Sequence, residues 1–239
     1  MPVTWYCFFH RGGPTGGLSD AERGRVVEAV GGAPDLQTAY VHTPSPAPHP
    51  HTGDDNAPLL VLELEFADVA GCESALRQDT GLRRLADPGF LPGLAGATVW
   101  QQGMLRRLYA VPDPAPDGAM RLCSYLVHYP GPAGDEQAWL DHYTATHAPL
   151  IAALPGVRAV AVDTPAVVVS GLPFPFAEAL LRNKAVFDSA RALSTALSSP
   201  AREALRADAG SFPAYTGGSV HVPMETLVVP GGDPFPTSL

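Results

Sequence analysis

A repeat held at one constant offset constrains this chain more than any other feature of its sequence. Thr43-Pro44 returns as Thr164-Pro165, a separation of 164 − 43 = 121. Phe66 returns as Phe187, Ala75-Leu76 as Ala196-Leu197, Ala86-Asp87 as Ala207-Asp208 and Pro92 as Pro213, all at 121. Gly96-Ala97-Thr98-Val99 is answered by Gly217-Gly218-Ser219-Val220 at the same distance. Only the first strand departs: His10 and His128 are 118 apart, which implies a three-residue length change just after it. Chance identities between Ala/Pro/Gly-rich stretches do not keep one offset across four elements. One supersecondary unit is therefore expected twice.

The hydrophobic pattern gives the unit its content. Residues 3–9 form an apolar run that ends in His10-Arg11-Gly12-Gly13-Pro14, a strand and a turn. Ser19 with Glu22 three residues on is a capping box, and Val26, Val27 and Val30 continue it as a helix. Residues 36–43 predict a second strand. Residues 59–66 alternate apolar with Glu63 and Glu65, the pattern of a half-buried third. A helix capped by Asp68 and running to about Ala86, then a strand over 97–105, complete the set. The second copy predicts strands over 122–129, 157–163, 180–187 and 219–229, with helices over 135–154 and 189–209. Each half is β-α-β-β-α-β, the ferredoxin-like unit. The expected fold is α+β: two tandem ferredoxin-like units packed as an internal dimeric α/β barrel. The first unit is residues 1–111, a Pro/Asp-rich linker is 112–118, and the second unit is 119–239.

Composition narrows the function. A net charge of −9 argues against a nucleic-acid partner, which needs a basic surface. No apolar run reaches the length of a membrane span and no signal-peptide pattern opens the chain, so a cytoplasmic location is expected. Hydrophobic residues at 46% against 16% charged supply a large core and leave room for a homodimer. Cys7, Cys72 and Cys123 form no C-x-x-C pair and are expected as small apolar residues. His42, His49 and His51 lie in or beside a proline-rich loop, a poor ligand scaffold, and are expected in solvent rather than on a metal. The run Gly12-Gly13-Pro14-Thr15-Gly16-Gly17 lacks the Lys-Ser/Thr ending of a phosphate loop.

The stretch most relevant to chemistry is residues 139–150. Trp139, Tyr143 and His147 recur at i, i+4 and i+8 and so share one helix face, which Leu140, Leu150, Ile151 and Leu154 extend as an apolar stripe. Such a histidine either bonds to backbone near the helix end or points into a pocket. At the offset of 121 its counterpart is Val26, so the unit folds without it, and the site is expected in the second half only. His128 shares a sheet face with Ser124 and Leu126 by alternation, and with its counterpart His10 is expected at the pocket mouth. His221, on the face of Ser219, is a weaker candidate of the same kind. His142 falls on another helix face and is expected to be exposed. Arg182 and Lys184 alternate along their strand, meeting an anionic substrate or, as is more usual, forming a solvated face.

The run Trp139…His142-Tyr143…His147-Ala148-Pro149-Leu150…Leu154-Pro155-Gly156-Val157 resembles the EthD-type branch of the dimeric α/β-barrel superfamily. Phe187-Asp188-Ser189 followed by Ala196-Leu197-Ser198-Ser199-Pro200 and Phe212 is similar to that family's second half. The resemblance covers residues 120–229; the first half joins it only through the repeat and departs where the histidine would be. It implies a pocket enzyme in a group that includes isomerases, cyclases, dehydratases or decarboxylases, and oxygenases. With it, His147 is expected as general acid/base and Tyr143 as hydrogen-bond donor, with Trp139, His128, Ser124 and His10 contacting substrate. The expected activity is a cofactor-free lyase, isomerase or cyclase on a small aromatic, lactone or polyketide-like carbonyl compound, with no metal. The alternatives are an oxygenase, cofactor-independent or with haem on His147, and a non-catalytic binding or structural barrel.

Overall fold

The computed structural model describes residues 1–11, 17–45, 57–77, 79–116 and 118–232. Eight strands close into one antiparallel barrel: β1 (Val3–His10), β2 (Leu36–Pro44), β3 (Leu60–Phe66), β4 (Thr98–Tyr109), β5 (Arg121–Tyr129), β6 (Val157–Pro165), β7 (Leu181–Phe187) and β8 (Val220–Pro230). Around the barrel the order is β1-β3-β2-β8-β5-β7-β6-β4. Within the first half this is 4-1-3-2 in chain order, and the second half repeats it. The seams between halves are β2 with β8 and β4 with β6. The fold is α+β, and β3 and β7 are displaced by the expected 121 residues (181 − 60).

Helices cover the outside. In the first half these are α1 (Asp20–Gly31), started by the Ser19/Glu22 capping box, and the short α2 (Val69–Ala75), capped by Asp68. The expected long helix to Ala86 is instead α2 followed by a separate 3-10 turn, Gly81–Ala86. In the second half a helix is made of α3 (Glu136–His142), a wide π turn over Tyr143–His147, and α4 (Ala148–Ala152). The expected helix over 189–209 is two, α5 (Ala190–Leu197) and α6 (Ala201–Ala209), divided at Pro200, whose ring cannot continue an α-helix. Among the described residues no helix is long and apolar enough to cross a membrane.

Along much of the barrel wall both faces are buried, and this overturns three readings of the strands. Glu63 lies fully inside the barrel, not toward water. Arg182 and Lys184, 5% and 3% exposed, are interior as well. His42 lies in β2 rather than in a solvated loop; it is wholly buried, bonded to Glu63 at 3.1 Å and to Thr226 at 2.9 Å. His49 and His51 lie outside the described residues. The interior is wired by charge: Arg106 bridges Glu63, Glu65 and Asp163, Lys184 bonds Glu63, and Tyr6 donates to Asp163 at 2.6 Å. Cys7, Cys72 and Cys123 are buried thiols, and burial pushes Cys123 up to about 11.

The loop after β6 crosses onto the first half. Gln101 donates to the Phe174 carbonyl at 2.7 Å, and Val168, Leu172 and Phe174 join the first-half core beneath α1 and α2. Gly103 lies directly under this loop, where an added Cβ would stand 2.5 Å from a Val168 methyl. Gly103→Ala is therefore expected to cost about 1–3 kcal/mol by overpacking. A urea denaturation midpoint measures it.

Candidate active site in the second half

The two halves differ in what lies between helix and sheet. In the first half Val26 and the crossing loop fill that space, leaving a gap of about 130 Å³ beside Phe9 and Phe174. In the second half a cleft of about 490 Å³ opens between the α3–α4 helix, α6 and the outer face of β5 and β7. Trp139, Tyr143 and His147 line it together, as their spacing requires, with Tyr129, Phe212 and Tyr215 closing the aromatic wall. Trp139 stacks on Tyr215 at 5.0 Å, and the Tyr143 and His147 rings are 4.9 Å apart.

The π turn has a cause in the sequence. Pro149 has no N–H to give Ala145, and its ring would crowd that carbonyl, so the preceding turn widens. Ala148 N–H consequently bonds back to the Tyr143 carbonyl, five residues away. The Thr144 carbonyl is released and is taken by the Tyr109 hydroxyl at 2.9 Å. The wide turn coincides with the two residues expected to do chemistry.

Asp208, near the end of α6, organises the polar part of the cleft. One carboxylate oxygen meets His147 Nδ1 at 2.8 Å and the other meets His142 Nε2 at 2.9 Å. A carboxylate only accepts, so Nδ1 of His147 carries the proton and the lone pair of neutral His147 sits on Nε2. Among the described residues nothing bonds that Nε2. Burial holds the imidazole below its ordinary value, against the opposing pull of Asp208. His142 is not the exposed residue expected: it packs on Phe212 at 4.4 Å and holds Asp208 from the other side.

Two further groups carry unused hydrogen-bonding capacity. The Tyr143 hydroxyl and the Asn183 amide nitrogen are buried and make no hydrogen bond among the described residues, and both residues line the cleft. Burial, reinforced by the neighbouring Tyr129 phenol, raises Tyr143 well above the usual phenol value, so it stays a donor.

Strand alternation separates the remaining expected residues from this cleft. On β5, Tyr125, Val127 and Tyr129 face the cleft, while Ser124, Leu126 and His128 face the barrel interior. Ser124 accepts from Thr226 at 2.7 Å, and His128 meets Arg182 at 2.9 Å. His10 is on the interior side of β1, beside Phe8 and Trp100. The three are not brought together with His147. His221 does line the cleft and is hydrogen-bonded to Tyr125 and Ser219, each at 2.9 Å.

Sequence reasoning missed Asp208 and Asn183. Asp208 had a signal: three residues after Leu205 and four before Phe212, it is the one acid on an apolar helical stripe. Asn183 shares its strand face with Ala185 and Phe187, and only its polarity marks it.

Residues 132–214 match the EthD domain family, a span that takes in Trp139, Tyr143, His147, Asp208 and Phe212. Among solved structures, an anthrone oxidase-like protein superposes with a TM-score of 0.59 at 15% identity, over 100% of this chain and 96% of that one. A candidate monooxygenase of Fusobacterium nucleatum subsp. nucleatum gives 0.60 at 9% identity, over 100% and 98%. One from Lactobacillus acidophilus NCFM gives 0.54 at 8%, over 97% of each chain. No curated protein sequence matches the chain. At these identities the structural likeness is one of fold. With the EthD match it bears out the resemblance to the EthD branch of the dimeric α/β-barrel proteins.

Proposed function

We propose that the two halves are ferredoxin-like units and that the second-half cleft is the active site of a cofactor-free enzyme. Its substrate is a small, largely apolar carbonyl compound, and its first step is proton abstraction next to the carbonyl. The observation that carries this reading is the His147–Asp208 pair, which holds Nδ1 and leaves Nε2 unbonded on a histidine that lines an aromatic cleft. The C–H bond breaks, its proton passes to Nε2 of His147, and the electron pair moves onto the carbonyl oxygen as an enolate. Asp208 holds the ring in the required tautomer and stabilises the imidazolium. Tyr143 and Asn183 have hydrogen bonds to offer the enolate oxygen. Trp139, Phe212 and Tyr215 bind the apolar body. Isomerisation, elimination or ring closure follows from this one intermediate, which supports a lyase, isomerase or cyclase.

The experiment needs no knowledge of the product. Cyclic diketones, aryl ketones and lactones are incubated with the protein in D₂O, and loss of the α-proton signal is followed by NMR. Saturable exchange above buffer is expected. Compounds shown to bind the cleft that exchange no faster than in buffer overturn the proposal. Burial lowers His147, so the base form persists at neutral pH. Exchange should hold steady down to about pH 6.5, the ordinary imidazole value, and fall only below it.

The like-folded anthrone oxidase-like protein and the two candidate monooxygenases favour a second reading, in which dioxygen traps the enolate. Oxygen consumption coupled to substrate loss separates the two. In a haem version His147, its Nδ1 already held by Asp208, would hold the iron through Nε2, and the haem would supply the oxygen chemistry. Failure to develop a Soret band on haem reconstitution removes that version.

A further inference from the structure

The cleft carries formal charge of one sign. Arg202 and Arg206 line it, and among the described residues no carboxylate does. The chain as a whole is acidic, with 24 Asp and Glu against 15 Lys and Arg, so its composition does not account for the bias. The repeat sharpens the point. At the offset of 121, Arg206 answers Leu85 and Arg202 answers Gly81 (206 − 85 and 202 − 81). Leu85 is buried in the first-half core. His147 and Asn183 likewise answer the buried Val26 and Leu62. One copy closes the space between helix and sheet with aliphatic side chains; the other opens it and lines it with polar groups, the arginines among them.

Helical geometry sets the arginines apart from the proposed base. Arg202 and Arg206, one turn apart on α6, are separated by about 40° around its axis and are neighbours on its surface. Asp208, which holds His147, is about 120° round the helix from Arg202 and about 160° from Arg206. The His147 pair and the two guanidiniums therefore flank different sides of α6. The sheet agrees: the charge of Arg202 acts on the Tyr125 phenol, opposing the rise that burial imposes, and Tyr125 bonds His221 of β8 at 2.9 Å. Arg202 is half-buried, with Nη1 donating to the Leu197 carbonyl at 3.3 Å, and Arg206 is exposed at the rim. Arg206 forms no ion pair among the described residues.

We infer that the molecule taken by the cleft carries a carboxylate, seated at Arg202 and Arg206 and away from the end that meets His147. This rests on the cleft being the ligand site, as proposed above, and narrows its substrate to a keto acid whose apolar body separates the carbonyl from the carboxylate. The planar fork of a guanidinium matches the two oxygens of a carboxylate. Leu205 and Ala209, the other α6 residues of the lining, add no side-chain donor for the third oxygen of a phosphate. At the rim the carboxylate keeps part of its hydration, while the aromatic wall takes the body behind it.

Binding tests this without turnover. Naphthalene-2-carboxylate and 5-oxo-5-phenylpentanoate are each compared with the neutral primary amide by titration calorimetry at low salt. Each acid should bind about tenfold tighter than its amide, and the preference should shrink as salt is raised. Arg206→Gln changes an exposed side chain and leaves the fold in place; it should remove most of the preference. The double variant Arg202→Gln/Arg206→Gln should remove all of it, with amide affinity unchanged. Arg206→Lys should keep part, because the charge remains without the fork. His147→Ala should bind both acids as the wild type does, whatever becomes of the proposed proton chemistry. Acid and amide binding alike in the wild type, or an acid preference that survives in both glutamine variants, overturns the inference alone. Naphthyl phosphate binding tighter than either acid overturns the carboxylate assignment. If none of the compounds binds, the inference falls together with the reading of the cleft as a ligand site.

Discussion

Asp208→Asn is expected to slow α-proton exchange by about 10²–10⁴-fold while leaving the fold intact. The carboxylate accepts from both His147 and His142, whereas an asparagine amide in the same place can turn its NH₂ toward one of them. An amide donating to His147 Nδ1 forces the proton onto Nε2, which removes the lone pair proposed as the base. His147→Ala should lose as much, and the double variant little more, because the two residues act as one unit. If Asp208 served only to fasten α6 to the helix carrying His147, the asparagine variant would lower melting temperature and exchange together. A near-normal melting temperature with a collapsed rate distinguishes the two roles.

The largest effect on stability should come from Glu63→Gln, at about 3–5 kcal/mol. Glu63 is the common counterion of Arg106 and Lys184 at the centre of the barrel. Its neutralisation strands the buried Lys184 and takes one of three carboxylates from Arg106, which keeps Glu65 and Asp163, a large loss against the roughly 5–15 kcal/mol that holds a domain folded. Adding Lys184→Met to Glu63→Gln should recover part of that loss, because it removes the stranded charge. The sign of the pH effect follows from the same contacts. Burial alone would raise the Glu63 carboxyl, but Arg106 and Lys184 overcome it and hold the group well below the usual range. Its contribution is therefore fully present above the unfolded value of about 4.3 and is lost as pH falls through the depressed folded value. Guanidinium midpoints measured from pH 7 down to pH 3 should fall more steeply for the wild type than for Glu63→Gln.

The repeat placed β3 and β7 at the offset read from the residues, and the i, i+4, i+8 spacing placed Trp139, Tyr143 and His147 on one wall. The barrel interior was harder to read. Alternation reports that a strand has two faces, and it does not say which medium each face meets. Glu63, Arg182 and Lys184 alternate with apolar neighbours as residues facing water would. Closing the barrel buries that second face too, and their partners come from strands distant in sequence. The same ambiguity put His128 and Ser124 in the cleft, although the wall of β5 lies between them and His147. Asp208 is 61 residues from His147, and only the packing of α6 against the π turn brings them together. Breaks within helices depend on local chemistry: the apolar period runs on across Pro200, while its ring divides the helix there.

Glu63 and Lys184 are 184 − 63 = 121 residues apart, and so they are the same position in the two copies. In a barrel assembled from two identical subunits, whatever stood there would face itself: acid against acid or base against base. A single chain is free of that restriction, and here the twin positions have become opposite in sign and complementary. Neither half can now substitute for the other without burying like charges on the pseudo-twofold axis. At its centre the repeat is therefore asymmetric, and the Glu63–Lys184 contact favours the pairing of unlike halves over that of like ones.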